Sequence, residues 1–201
     1  MLGPLATHTY RIEQLYEDQH PDFVVDAVPA LLAWLADMQG ERREYEFSVD
    51  VKRRAAGTPS EEVLALTWDL QQLAKHDRPV RQRVRRIRSG RTPHREHVTE
   101  VAAYGLALIA ISVFLPGQRV VAWARYVAPD LLLDATPSAR RGVEVAGRAR
   151  GGRAALRAIS EGSGAVSGKA LLLREDPEVA EAWLSLWSGS PAVAAMIHVK
   201  P

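Results

Sequence analysis

Apolar and polar positions follow two periods along this chain, and each period predicts a different kind of element. Tyr45-Glu-Phe-Ser-Val-Asp-Val-Lys52 alternates with period two, as a half-buried strand does. Before it, the segment from Asp26 to Gln39 has helical composition and Gly40 supplies a stop. Pro29 suits only a first helical turn, so that helix is expected to begin near Val28. Tyr10, Ile12, Leu15 and Tyr16 are spaced as on a short amphipathic helix within residues 1–20. Thr58-Pro59-Ser60-Glu61 has the form of a capping box with proline at the first helical position. Leu64, Trp68, Leu70 and Leu73 then continue an amphipathic helix to about Lys75. Residues 1–76 thus predict helix, strand, helix.

The second half has a different rhythm. Val98 to Phe114 is an apolar helix ended by Pro116-Gly117, with Glu96 and Glu100 at its head, where carboxylates suit the helix dipole. Gly105 and Ser112 interrupt its apolar run, which falls short of the roughly 20 residues of a membrane span, so a buried helix is expected. Three strands follow, over Arg119–Val127, Leu131–Leu133 and Arg141–Gly147. A helix over Arg153–Ile159, a Gly/Ser-rich loop through Gly168 and a hairpin from about Ala182 to Val199, turning at Ser188-Gly-Ser-Pro191, complete the chain. Between the halves, Arg78, Arg81, Arg83, Arg85, Arg86, Arg88, Arg91 and Arg95 crowd one segment, with Pro79, Gly90 and Pro93 as breakers. The organisation expected is an N-terminal portion 1–76, an arginine-rich linker or arm 77–96, and an α/β core 97–201, a mixed sheet flanked by helices.

Composition narrows the chemistry. The 201 residues are 47% hydrophobic and 25% charged, enough to bury a core. There is no cysteine, which excludes disulfides, thiolate metal sites and cysteine nucleophiles. The six histidines show neither His-x3-His nor HExxH spacing, so a histidine zinc site is not signalled. The N-terminus lacks the basic-then-apolar pattern of a secretion signal, and a soluble, cytoplasmic protein without a membrane partner is expected. Net charge is only +2, and the lysines are Lys52, Lys75, Lys169 and Lys200, the other bases being arginine. The arginine run reads either as a phosphate-binding arm, with Arg81, Arg85, Arg88 and Arg91 as its contacts to nucleic acid, or as a solvated helix face joining two halves. No aromatic residue is interleaved with it to stack on bases.

Residues 129–148 carry the only segment that reads as a site. Asp130 stands at the mouth of one apolar run and Glu144 between two valines of another, and a carboxylate there is costly to bury unless something positive meets it. Pro129-Asp130, Glu144 fourteen positions later, an acid at the head of the preceding helix and the order of elements from His97 onward resemble the PD-(D/E)xK nuclease superfamily. The resemblance covers about the C-terminal half and implies a restriction-endonuclease-like core with Mg²⁺-dependent phosphodiester hydrolysis. Asp130 and Glu144 would then be metal ligands, and Glu100 could approach as a third acid. Mg²⁺ is suited to this set, since it takes one or two carboxylates together with waters and phosphate. Where the motif has lysine, this chain has Ala146. Period two puts positions 144, 146 and 148 on one strand face, so Arg148 is a candidate replacement cation, although arginine cannot serve as a base.

Each residue also has a plainer reading. Asp130 can be a turn residue, Glu144 can pair with Arg141 or Arg148, and Glu100 can cap its helix. Pro21-Asp22 with Asp50-Val51-Lys52 spells the motif a second time, lysine included, but at long spacing. Besides the nuclease-like enzyme, two other functions stay open. One is nucleic-acid binding without catalysis, through the arginine run. The other is a protein-interaction subunit, such as an immunity, inhibitor or assembly component, using Trp183 and Trp187, for which core packing is the plainer reading.

Overall fold

A computed structural model describes residues 5–40, 44–54, 57–90, 95–124, 127–134, 136, 138–163 and 165–201. The elements, in chain order, are β1 (Ala6–Arg11), α1 (Leu15–Asp18), α2 (Pro21–Gln39), β2 (Glu44–Lys52), β3 (Ser60–Thr67), α3 (Leu70–His76), α4 (Val80–Arg88) and α5 (Arg95–Phe114). They continue as β4 (Ala122–Trp123), β5 (Leu131–Leu132), β6 (Arg140–Arg150), α6 (Gly152–Glu161), β7 (Gly162–Ser163), β8 (Val166–Ser167), α7 (Lys169–Glu175), β9 (Val179–Ser190) and β10 (Val193–Lys200). Eight strands form one mixed sheet in the order β1-β3-β2-β10-β9-β6-β5-β4, while β7 and β8 make a separate small hairpin.

The expected α/β class, a mixed sheet flanked by helices, is what the chain adopts. Strands from both halves share the sheet, because β10 pairs in parallel with β2. Helices α2 and α5 cover one face, over a core that includes Leu31, Leu35, Phe47, Leu106 and Trp187. Helices α6 and α7 cover part of the other, over Leu156, Leu173, Leu184 and Leu186. Strand β9 is buried on both sides, so its alternation places Trp183, Ser185 and Trp187 against one layer and Leu184 and Leu186 against the other. The tryptophans are 7% and 1% exposed, which makes them core residues and not a docking surface. The hairpin of β9 and β10 follows the expected one closely, turning at Pro191 and Ala192.

Three local expectations are corrected. Ala6–Arg11 is an edge strand, with only a short helical turn over Ile12–Asp18. Ser60–Thr67 is a strand inserted between β1 and β2, not the first turns of a helix. The apolar run Val63–Leu66 fits the sheet on both sides, and tertiary pairing overrides the local cap signal. The helix that follows is capped by Asp69, whose carboxylate accepts from Gln71 N at 2.6 Å. The helix-strand-helix succession of α2, β2 and α3 is thus present with two further strands among its members. The strand expected over Arg119–Val127 is short, at Ala122–Trp123, with Arg125 and Tyr126 outside the described residues.

Helix α2 starts earlier than Val28, at Pro21, and so encloses Pro29. Proline has no N–H for the carbonyl four residues back. Arg83 of α4 fills that gap, its guanidinium donating to Val25 O at 2.9 Å while lying 3.6 Å from the buried carboxylate of Asp77. One member of the arginine run is therefore a structural clamp. Arg83→Leu is expected to lower stability by about 2–4 kcal/mol, by leaving a carbonyl and a carboxylate without a partner. In a Pro29→Ala background the loss should shrink by about 1 kcal/mol, since the restored N–H takes over Val25 O. Chemical denaturation of the four-member cycle measures this, and strict additivity would contradict it.

Candidate active site

The site is assembled where the meander β4-β5-β6 meets the crossover from β6 to β9. Strand β5 pairs antiparallel with β6 through Leu131–Val143 and Leu132–Gly142, which sets Asp130, just ahead of β5, beside Glu144. Backbone bonds lock the pair in place. Val145 N donates to Asp130 Oδ2 at 2.8 Å, and Asp130 N donates to Glu144 Oε2 at 3.2 Å. Two glycines permit the approach. A Cβ on Gly142 would lie 2.2 Å from Leu131 O, and one on Gly147 would lie 2.8 Å from Ala103 Cβ on α5.

Glu144 is only 7% exposed, and its positive partner is Lys169, the first residue of α7, whose ammonium donates to Glu144 Oε1. Glu144 sits on the sheet face that α6 and α7 cover, so the crossover itself delivers the cation to the acid. Burial holds the Glu144 carboxyl above its ordinary value, the Asp130 charge adds to this, and Lys169 opposes it. The folded state therefore binds this proton more tightly than the unfolded chain does. The resulting stabilisation is complete below the ordinary carboxyl value of about 4.3 and is lost as pH rises through the raised one. Thermal melts of Glu144→Gln against the parent should show the variant gaining relative stability as pH rises from about 4 towards 7. A difference that is flat or of opposite slope would count against this electrostatic account.

A cleft of about 560 Å³ opens onto the pair, lined by Arg95, Glu96, Glu100, Tyr104, Arg148 and Lys169 among others. Tyr104 is half-buried and stacks on Trp123 with ring centroids 5.2 Å apart. Burial, followed by the Asp130 and Glu100 charges, pushes its phenol well up, so it stays a neutral hydroxyl at the cleft wall.

The sequence-predicted residues divide as follows. Asp130 and Glu144 are brought together, and Arg148 shares their cleft. Glu100 lines the same cleft from the first turns of α5, with a side chain 63% exposed and 3.8 Å from His97. Among the described residues no three acidic or histidine side chains converge as a metal-holding group, so Glu100 stays outside the pair. Of the arginine run, Arg81, Arg85 and Arg88 are exposed on α4, Arg95 reaches the cleft, and Arg91 lies outside the described residues. In the second spelling of the motif, Asp22 is 86% exposed at the head of α2 while Asp50 is engaged by Arg153 at 2.9 Å, so no site forms from them.

Sequence reasoning missed Lys169 and Tyr104. For Tyr104 a signal existed, since Glu96, Glu100 and Tyr104 recur every four residues on one helix face. For Lys169 the signal was weaker: a lysine after Gly168, opening the short helix Lys-Ala-Leu-Leu-Leu-Arg-Glu.

Asp130 and Glu144 are the side chains at this site that could hold a cation. The two carboxylates supply oxygen donors beside an open cleft, the donor type that Mg²⁺ takes, with Lys169 already placed on Glu144. Family models, curated proteins and solved structures yield no match to this chain.

Proposed function

We propose that the chain is a nuclease-like phosphodiesterase of the PD-(D/E)xK type acting on nucleic acid, with Lys169 in the role that Ala146 cannot fill. The observation that carries this reading is the Asp130–Glu144–Lys169 cluster at the base of the cleft. Its support in the fold is the succession α5, β4, β5, β6, crossover helices, β9, with β6 and β9 parallel.

In this reading Asp130 and Glu144 would hold Mg²⁺, which would supply an acidified water and shield phosphate charge. The chain's own groups do the remaining work. Lys169 places a compact positive charge against the acids, where negative charge develops on a phosphate in transfer. Arg95 and Arg148 border the cleft and offer planar donor pairs to flanking phosphates, positioning a strand without reading its bases. Tyr104 contributes a neutral hydroxyl donor that does not compete with the acids for the cation. An intracellular location belongs to the same reading.

The test is incubation of the purified chain with plasmid DNA and with RNA in Mg²⁺ or Mn²⁺, alongside thermal melts in the same ions. Cleavage together with an ion-dependent rise in melting temperature, both absent in Asp130→Ala, is the expected result. An ion-independent melting temperature and no cleavage of either substrate would refute the reading. Binding without catalysis is a second reading, favoured by the exposed arginines of a helix with no acid in its first turn. It predicts affinity that falls steeply with salt while nucleic acid stays intact.

A further inference from the structure

We propose that the chain carries a second ligand site, for a mononucleotide, on the sheet face that α6 and α7 cover only in part. The cavity there holds about 520 Å³, within the usual range for small-molecule sites. Its apolar surface comes from Ile197 of β10, which is half-buried, and Leu171 of α7, which is 41% exposed, above a closed layer of Leu186 and Ala195. Leu186 of β9 stands directly opposite Ala195 of β10, and Ile197 continues the same face. A planar base laid against Ile197 and Leu171 buries apolar area on one side.

The rim is basic and drawn from three elements: Lys52 on β2, Arg157 on α6 and Arg174 on α7. Among the described residues Lys52 and Arg157 form no ion pair or side-chain hydrogen bond. Arg174 uses only its Nε, donating to Val199 O at 3.4 Å, which leaves both terminal nitrogens available. Of the two carboxylates that line the cavity, Asp50 is engaged by Arg153, which leaves Glu161 as the single acid beside the three cations. Three cations with a single acid among them leave a surplus of positive charge that suits a phosphate, which takes several charge-assisted bonds at once.

The register ties this site to the acidic cleft. Glu144, Leu184, Ile197 and Lys52 form one row across four neighbouring strands, so Glu144 and Lys52 lie about 14 Å apart on the same face. Helix α7 stands between them, with Lys169 bordering the cleft and Ala170, Leu171 and Arg174 bordering the cavity. A ligand joining Lys52, Arg157 and Arg174 fastens α7 to the sheet and thereby fixes Lys169 against Glu144.

Calorimetric titration of the full chain with AMP at low salt, with adenosine and inorganic phosphate as controls, tests the site. Saturable one-to-one binding of AMP is expected, with adenosine and inorganic phosphate each weaker by about tenfold or more. Arg157→Glu and Arg174→Glu, both at exposed positions, should each weaken AMP by about tenfold with an unchanged melting temperature. Lys52→Gln serves as a further variant should either fail to fold. AMP should also slow amide exchange in α7, and Asp130→Asn, which alters the acidic cleft alone, should leave AMP affinity intact. No AMP binding at millimolar concentration, equal binding of inorganic phosphate, or affinity lost in Asp130→Asn but kept in Arg157→Glu would each overturn the proposal.

Discussion

Lys169→Met is expected to cut metal-dependent cleavage by about 10²–10³-fold, the usual cost of removing one preorganised group that stabilises developing charge. Methionine keeps the length and apolar stem of the side chain and removes only the ammonium. The difficulty is that Lys169 also neutralises the buried Glu144. Breaking a buried pair normally costs about 3–5 kcal/mol. Here the loss is softened, because burial and Asp130 already raise the Glu144 carboxyl and it can take up a proton instead. The variant should therefore remain folded at mildly acidic pH and stay inactive there. Ala146→Lys in the Lys169→Met background separates chemistry from structure. Position 146 is two residues from Glu144 on the same strand face and lines the same cleft, so a lysine there should recover about tenfold or more of the lost rate. Initial rates on labelled DNA and RNA, with melting curves of each variant, provide the measurement. Undiminished cleavage in Lys169→Met would remove the lysine from the mechanism.

That lysine marks the boundary of what the sequence could reveal. Asp130 and Glu144 were legible because each disturbs an apolar strand, and such an acid needs a reason. Their contact through β5 and β6 follows from the short turn region between them, which favours an antiparallel pair. The cation is separated from Glu144 by twenty-five positions and arrives on a seven-residue helix with no side-chain cap, a combination without a periodic signal. In the N-terminal part, period two identified β2 because one of its faces is solvated. Strand β3 eluded the same reading because Val63–Leu66 is a continuous apolar run preceded by residues that cap helices well. Short apolar runs do not distinguish strand from helix by themselves, and the partner strands β1 and β2 decide the matter. The arginine run shows a further limit, since composition cannot separate a clamp such as Arg83 from a cleft residue such as Arg95.

Gly142→Val is expected to destroy the site from a residue with no chemistry of its own. A Cβ at this position would lie 2.2 Å from Leu131 O and 2.6 Å from Pro129 Cγ, and neither neighbour is the mobile end of a flexible side chain. The strain is relieved only if β5 leaves β6. That separation gives up the two-residue ladder and withdraws Leu131, which is fully buried, from the core. Together these losses amount to about 3–5 kcal/mol. Asp130 moves with β5, so it no longer accepts from Val145 N or donates to Glu144, and the two acids part. Cleavage should fall to the level of Asp130→Asn even where the protein is fully folded. Strands β9, β10, β2 and β3 pair among themselves without β5 and should keep their amide protection. Gly147→Ala strains a different contact, because its Cβ would lie 2.8 Å from Ala103 Cβ and 3.1 Å from Thr99 O, so α5 must move off β6 while β5 and β6 stay paired. It should lower stability yet retain the Asp130–Glu144 contact, which Gly142→Val loses. Denaturation midpoints, hydrogen exchange of β5 and β6, and cleavage rates for the two variants read this directly, and wild-type behaviour in Gly142→Val would refute the dependence of the site on this close approach.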